Sequence, residues 1–89
     1  MHSLNKIFGT NLKYYRNLEN LSQEKYYSKY ELSIKHMANV ERGKVNVTLN
    51  FVEKVSEAIG ISPQDLLTFN ENKIINKKRV DEKIKIHNK

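Results

Sequence analysis

The sequence of 89 residues is long enough for one small domain, and its 38% hydrophobic residues can build one modest core. It contains no cysteine, which excludes disulfides and thiolate chemistry, and no apolar run of the roughly 18 residues that a membrane span requires. A net charge of +6 makes nucleic acid the first expected partner and anionic lipid the second. The first six residues lack the apolar stretch of a signal peptide, so we expect a cytoplasmic location, associated with the nucleoid.

Helical periodicity predicts two helices in the first third of the chain. The first has apolar residues on one face, namely Leu4, Ile7, Phe8, Leu12 and Tyr15. It is predicted to end in the polar stretch 17–20. Ser22 is a suitable N-cap for a second helix from Gln23 to about Tyr30, with Tyr26 and Tyr30 on its buried face.

A serine and a glycine delimit the third predicted helix. Ser33 is its N-cap, and the helix runs through Arg42 with Met37 and Val40 facing inward. Gly43 then ends it, because glycine adopts the left-handed conformation at little cost.

Residues 44–47 are predicted to form a loop, after which Thr48 caps a fourth helix that Gly60 ends. Its inward residues are predicted to be Leu49, Val52, Val55 and Ile59. Ser62 as cap and Pro63 at the first helical position begin a short fifth helix. The apolar face of that helix is formed by Leu66, Leu67 and Phe69. No strand pattern precedes residue 70, so we predict an all-α body.

The charge changes near Asn70. Residues 70–89 contain seven basic and three acidic residues, whereas residues 1–69 contain nine and seven. We therefore predict a folded domain over 1–69 and a basic C-terminal tail over 70–89. Three interpretations of the tail remain open: a disordered segment that adds non-specific affinity, a sixth helix for dimerisation, or a short strand over 83–87.

The second and third predicted helices, joined by a tight turn, have the form of a helix-turn-helix. The outward face of the second helix of such a unit enters the major groove, so its residues must be small or able to form hydrogen bonds. The sequence places on that face Ser33, Ile34, Lys35, Ala38 and Asn39.

The sequences Leu-Ser-Gln-Glu at 21–24 and Glu-Arg-Gly-Lys at 41–44, at this spacing, resemble the lambda-repressor/Cro-like (Xre-type) helix-turn-helix family. The resemblance covers about residues 7–69 and implies a five-helix lambda-repressor-like domain, here with a basic C-terminal extension. It also implies a sequence-specific transcriptional regulator of double-stranded DNA. Within the family, the size and the stretch 46–49 are most similar to restriction–modification controller proteins. A phage-type repressor and a stand-alone regulator are the alternatives.

The resemblance implies contacts to the DNA backbone from three residues. Gln23, at the start of the second helix, would contact one phosphate, and Lys44 and Asn46 would contact others from the loop. Two further residues have open roles. His36 either bonds a phosphate or is simply exposed, and Arg42 either clamps a phosphate or complements the helix dipole.

The resemblance also implies which residues read bases. Ile34, Lys35 and Asn39 would reach base edges, where an apolar group suits the thymine methyl, lysine suits guanine and asparagine suits adenine. Arg16 and Glu41 would form an ion pair that holds the first helix to the third.

Two residues depart from the family pattern. The family usually has alanine at the position of Tyr27, where two helices cross closely, and glycine at the position of Glu31, where the turn requires a positive φ. A glutamate in that conformation costs on the order of 1 kcal/mol.

Three functional classes follow from these patterns. The first is a regulator that binds a pseudo-palindromic operator as a homodimer, with Leu66, Leu67 and Phe69 in the interface. The second is an antitoxin-like interaction module whose basic tail binds an acidic partner protein. The third is an enzyme, which we do not expect, because no paired carboxylates, clustered histidines or phosphate-binding glycine loop are visible. For the same reason no cofactor, metal ion or small-molecule ligand is expected.

Overall fold

The computed structural model describes residues 3–70, which form five α-helices and no strand. The helices are α1 (Leu4–Leu18), α2 (Gln23–Lys29), α3 (Ile34–Glu41), α4 (Leu49–Ile59) and α5 (Pro63–Leu67). The predicted all-α, five-helix body is therefore confirmed. None of these five helices has the length and apolar character to cross a membrane. The tail interpretations concern residues 70–89, of which 71–89 lie outside the described part of the chain.

Each helix begins after a hydroxyl side chain that accepts a backbone N–H three residues further on. These caps are Ser3, Ser22, Ser33, Thr48 and Ser62. The ends of α1 to α4 agree with the sequence to within one residue, whereas α5 ends at Leu67, so the prediction that Phe69 belongs to the fifth helix is wrong. Gly60 ends α4 at a φ of 75°, and Gly43 follows α3 at a φ of 72°. The helix boundaries are thus encoded locally, by cap and stop residues.

The core lies where α1 packs against α3 and α5, with α2 against α3 and α4 against α5. Its buried apolar side chains are Phe8, Leu12, Tyr26, Tyr27, Met37, Val40, Val52, Val55, Ile59 and Leu66. Burial of this set is the main driving force that holds five short helices together, since helices of this length are marginal alone.

Two leucines predicted to face inward are exposed, and those two predictions are wrong. Leu4 is 62% exposed and Leu49 is 80% exposed. Each is the first residue of its helix. The helical period places both on the apolar face, but the first turn extends beyond the packed part of the core. Tyr30, also predicted to be buried, is only half-buried, and Tyr27 is fully buried beside Tyr26.

Gly9 marks a very close approach between α1 and α3. A Cβ atom at this position would lie 2.3 Å from the carbonyl oxygen of Val40 and 2.8 Å from that of Glu41. Both neighbours are backbone atoms, which cannot rotate away as the end of a side chain can. A hydrogen at this position is therefore what allows α3 to lie directly on α1.

A buried amide fixes the end of α5. Asn11 is 2% exposed, and its Nδ2 donates to the carbonyl oxygens of Leu66 at 2.6 Å and Thr68 at 3.1 Å. These carbonyls belong to the last turn of α5 and the residues after it, where a helix leaves acceptors without partners. The side chain thus satisfies that helix end and attaches it to α1.

Candidate nucleic-acid interface

The turn between α2 and α3 reverses the chain within four residues. Leu32 N–H donates to the Tyr27 carbonyl at 2.9 Å, and Glu31 N–H donates to that of Ser28 at 3.1 Å. Glu31 adopts a φ of 57°, as the comparison with glycine at this position led us to expect. This left-handed residue directs the chain from α2 into Ser33, the cap of α3.

Behind α3, Glu41 accepts hydrogen bonds from three side chains. The Arg16 guanidinium binds it through two atoms, Nε at 2.8 Å from Oε2 and Nη2 at 2.9 Å from Oε1. The Tyr27 hydroxyl donates to Oε2 at 2.5 Å, and Gln23 Nε2 donates to Oε1 at 3.1 Å. Arg16 also donates through Nη1 to the Leu21 carbonyl. We call Arg16, Gln23, Tyr27 and Glu41 the Glu41 network; it joins α1, α2 and α3.

The Glu41 network sets the ionisation of its members. Burial alone would raise the pKa of Glu41, but the hydrogen bonds from Arg16, Tyr27 and Gln23 outweigh it and leave the pKa below its ordinary value. Burial, together with the hydrogen bond to Glu41, raises the pKa of the Tyr27 phenol far above its ordinary value. At neutral pH the carboxylate is therefore charged and the phenol remains a donor.

The outward face of α3 carries the side chains expected to enter the major groove. Ser33, Ile34, Lys35 and His36 are exposed, and Ala38 and Asn39 are half-buried on the same side. The opposite side of α3 is anchored by Met37 and Val40, each 1% exposed. One face of this helix is thus fixed in the core while the other is presented to solvent.

Two residues considered for DNA contact, His36 and Asn39, already have partners within the domain. The imidazole of His36 packs edge-on against the Phe51 ring of α4, with centroids 5.2 Å apart. Arg42 Nη2 donates a short hydrogen bond to Oδ1 of Asn39. A bidentate contact from Asn39 to adenine requires both ends of its amide, so in that contact Arg42 must release the oxygen.

The loop between α3 and α4 carries the phosphate candidates Lys44 and Asn46, both exposed. Asn46 accepts from Asn5 Nδ2 at 2.8 Å, and the Lys44 N–H donates to the Asn39 carbonyl at 3.1 Å. Gln23, the third phosphate candidate, uses its amide to bind Glu41. Gln23 is therefore a member of the structural network in the free protein.

The residues expected in a dimer interface separate into two groups. Leu66 is fully buried and belongs to the core, so it supplies no exposed surface. Leu67 is half-buried and Phe69 is 43% exposed. The physical reason is that α5 has only five residues and packs one face against α1 and α4, so the exposed apolar surface remains at its last residue, Leu67, and at Phe69, which follows the helix.

Four residues that shape the site carried little signal in the sequence. Tyr27 departs from the family pattern, but nothing in the sequence indicated its hydrogen bond to Glu41. Gly9, Asn11 and Asn5 resembled ordinary residues of a helix. Their roles depend on atoms of distant segments, which periodicity does not report. A glycine within a strongly periodic helix was the one available signal of a close approach. Within residues 3–70, no group of three or more potential metal ligands occurs.

A short helix held across a second helix by a tight turn, with a polar outward face, defines a helix-turn-helix DNA-binding domain. Residues 12–66 match the sequence model described as "Helix-turn-helix", so the chain belongs to the helix-turn-helix family, of the Xre type expected from its motifs. The chain is thus a DNA-binding transcriptional regulator.

Among relatives, the chain is similar to Control protein C.BamHI of Bacillus amyloliquefaciens, at 36% identity over 69 residues that cover 76% of this chain and 85% of the relative. Control protein C.MunI of a Mycoplasma species is 33% identical over 69 residues, 76% of this chain and 93% of the relative. An uncharacterized HTH-type transcriptional regulator of Methanocaldococcus jannaschii is 31% identical over 61 residues, 68% and 92%. No solved structure matches the chain.

Proposed function

We propose that this regulator controls a restriction–modification system by binding, as a homodimer, a pseudo-palindromic operator in cytoplasmic DNA. The family membership and the similarity to two control proteins support this setting. The observation that carries the proposal is the outward face of α3, a polar and cationic surface on a helix whose other side is fixed by the core and the Glu41 network.

Base recognition is assigned to the outward face of α3. Lys35 donates to guanine, Asn39 contacts adenine, and Ile34 packs against a thymine methyl. Ser33 and Ala38, small residues on either side, allow the helix to approach the floor of the groove.

Backbone recognition is assigned to the residues around α3. Lys44 and Asn46 contact phosphates from the loop, and Arg42 and His36 contact them from the helix itself. Gln23 lies at the start of α2 and contributes a phosphate contact through the N–H that its bond to Glu41 leaves available. These contacts set the register of α3 and carry no sequence information themselves.

Dimerisation is assigned to the end of α5, where Leu67 and Phe69 retain exposed apolar surface. One recognition helix reads only about four to six base pairs, too few to define a single genomic site. Two copies about a two-fold axis would place their α3 helices about 34 Å apart, one turn of DNA.

Selection of duplexes from a random library, followed by footprinting, tests the proposal. We expect an inverted repeat with half-site centres about 10 base pairs apart. Asn39→Ala should relax the preference at one base pair of each half-site, at about 1–3 kcal/mol on the best sequence. The matched control is Lys29→Ala. Lys29 is exposed at the C-terminal end of α2, outside the proposed interface, and pairs with Glu19.

Two results would contradict the proposal. Selected duplexes without any repeat would refute the dimeric operator. Equal losses by Asn39→Ala on selected and random DNA would show that Asn39 contacts only the backbone.

A further inference from the structure

The first turn of α1 is attached to the loop that follows α3. Asn5, in that turn, accepts the backbone N–H of Val47 through Oδ1 at 3.0 Å and donates through Nδ2 to Oδ1 of Asn46 at 2.8 Å. The alkyl part of Lys6, the next residue, lies against Gly43, because a Cβ on that glycine would be 2.8 Å from its Cγ. The loop is thus held at both of its ends by one helical turn.

The backbone N–H of Val47 fixes the direction of both hydrogen bonds, the one from Val47 to Asn5 and the one from Asn5 to Asn46. The Val47 N–H can only donate, so the carbonyl end of the Asn5 amide must face it. The Asn5 NH2 group then faces Asn46, and because it can only donate, Asn46 must present its oxygen. One backbone group therefore determines how two side-chain amides are turned.

These hydrogen bonds determine which end of the Asn46 amide is exposed to solvent. Its oxygen is occupied by Asn5, while its NH2 group has no partner among the described residues. A phosphate oxygen accepts hydrogen bonds and cannot donate them, so only the NH2 end of an amide suits it. Without Asn5, the amide could equally present its oxygen, which phosphate repels.

We infer that Asn5 is a positioning residue for DNA binding, which turns the NH2 group of Asn46 towards a DNA phosphate. The inference rests on the proposed phosphate contact of Asn46. Asn5 lies before the part of the chain that matches the family, residues 12–66, so that match assigns it no role.

A double-mutant cycle tests the inference on the full-length chain, with a duplex that the wild-type protein has selected. Asn46→Ala should weaken binding about threefold to tenfold per subunit, the value of one hydrogen bond. Asn5→Ala should cause a similar loss, and the double variant should lose little more than either single variant, because both changes remove the same contact.

Duplexes with one methylphosphonate in each half-site identify the phosphate concerned. The wild-type protein should bind the duplex with the neutralised phosphates more weakly than the unmodified duplex. Asn46→Ala and Asn5→Ala should each bind the two duplexes equally well. A purely structural role of Asn5 would lower the melting temperature and leave this discrimination intact.

Asn5→Asp provides a variant that keeps the acceptor for Val47, replaces the donor NH2 group with a second acceptor oxygen and adds a negative charge. Asn46 must then turn its NH2 group inward, so we expect discrimination of that methylphosphonate to disappear while the fold is retained. Ser3→Asp is the matched control, because it adds the same charge to the same turn, at a cap position where aspartate is favoured, without reaching Asn46.

Three outcomes would overturn the inference. The first is additive losses in the double variant, and the second is unchanged methylphosphonate discrimination in both Asn5 variants. The third is that Asn46→Ala binds a selected inverted repeat as tightly as the wild-type protein does. That result would exclude the phosphate contact of Asn46 but would leave the proposed operator binding intact. Failure of the wild-type protein to select any duplex would instead contradict the proposed function as a whole.

Discussion

Folding transfers the Glu41 carboxylate from water into a nearly closed environment. Its side chain is 3% exposed, yet it remains ionised because Arg16 and two neutral donors surround its oxygens. A buried carboxylate without such partners is strongly disfavoured. The stability of the domain therefore depends on keeping these donors together with the charge.

Arg16→Ala should destabilise the domain by about 3 kcal/mol at neutral pH, because it leaves the Glu41 carboxylate buried without its cation. Thermal and denaturant unfolding measure the loss. Lys29→Ala is the control, since its ion pair with Glu19 is exposed and should contribute little. An unchanged melting temperature of Arg16→Ala would contradict a structural role for the pair.

The pH dependence of this variant has a definite sign. In the wild-type protein the pKa of Glu41 is lowered from 4.5, so its stabilisation is present above pH 4.5 and is lost as the pH falls through the folded value. In Arg16→Ala, burial raises that pKa, so acid protonates and relieves the carboxylate. The difference in unfolding free energy should therefore be larger at pH 7 than at pH 4, and a constant difference would refute this explanation.

At the scale of the elements, the turn between α2 and α3 contains avoidable strain. Glu31 and Asn20 are the two described residues other than glycine with positive φ, at 57° and 55°. Asparagine adopts this region far more readily than glutamate. The helix-turn-helix thus contains one residue that is poorly suited to its backbone conformation.

Glu31→Gly should stabilise the domain by up to about 1 kcal/mol, since relief of strain exceeds the added entropy of the unfolded chain. Asn20→Gly, at a nearly identical φ, should have little effect. Equilibrium denaturation of the two variants compares them directly. Destabilisation by Glu31→Gly would show that the glutamate side chain makes a contribution larger than the strain.

Gly9→Ala should have the opposite effect. Alanine favours a helix over glycine by about 1 kcal/mol, but the new Cβ would overlap the carbonyls of Val40 and Glu41 and push α3 away from α1. We expect a net loss of about 2 kcal/mol, whereas Ser28→Ala, on the exposed face of α2, should be nearly neutral. Stabilisation by Gly9→Ala would contradict the close helix crossing.

The sequence predicted the elements well because their limits are local. Serine and threonine caps, Pro63 and two glycines placed the helices to within a residue, except the end of α5, where no glycine follows and Phe69 was wrongly included. Cap chemistry could not show that Leu4 and Leu49 project beyond the core, because their exposure depends on where other helices end. The close α1–α3 approach and the amide contacts of Asn5 and Asn11 were likewise invisible, since their partners lie in segments distant in sequence.

At the scale of the whole molecule, the positive charge should dominate association with DNA. Two phosphate-contacting cations in each subunit of the proposed dimer, Arg42 and Lys44, predict a salt slope of about −3.6 and about a 150-fold loss of affinity between 50 and 200 mM salt. Lys44→Gln should reduce the slope by about 2 for the dimer, and Lys29→Gln should not change it. A loss below about threefold for the wild-type protein would contradict dominant phosphate contacts.

The apolar end of α5 should control the oligomeric state. Phe69→Glu is expected to shift the protein to monomers at tens of micromolar in sedimentation and to weaken operator binding, with helical content retained. Leu18→Glu is the matched control, because Leu18 is a comparably exposed apolar residue at the end of α1. A wild-type monomer that binds a single half-site with full affinity would refute this interface.

The Glu41 network also determines what can be exchanged between regulators of this kind. An α3 segment grafted from another protein would pack against Arg16, Gln23 and Tyr27. Without a carboxylate at position 41, it would leave the Arg16 guanidinium without its anionic partner. New operator specificities should therefore be built by rewriting the outward face alone, with Met37, Val40 and Glu41 retained. Only the outward face of α3 can therefore be exchanged between such proteins, because its inward face is part of the structural core.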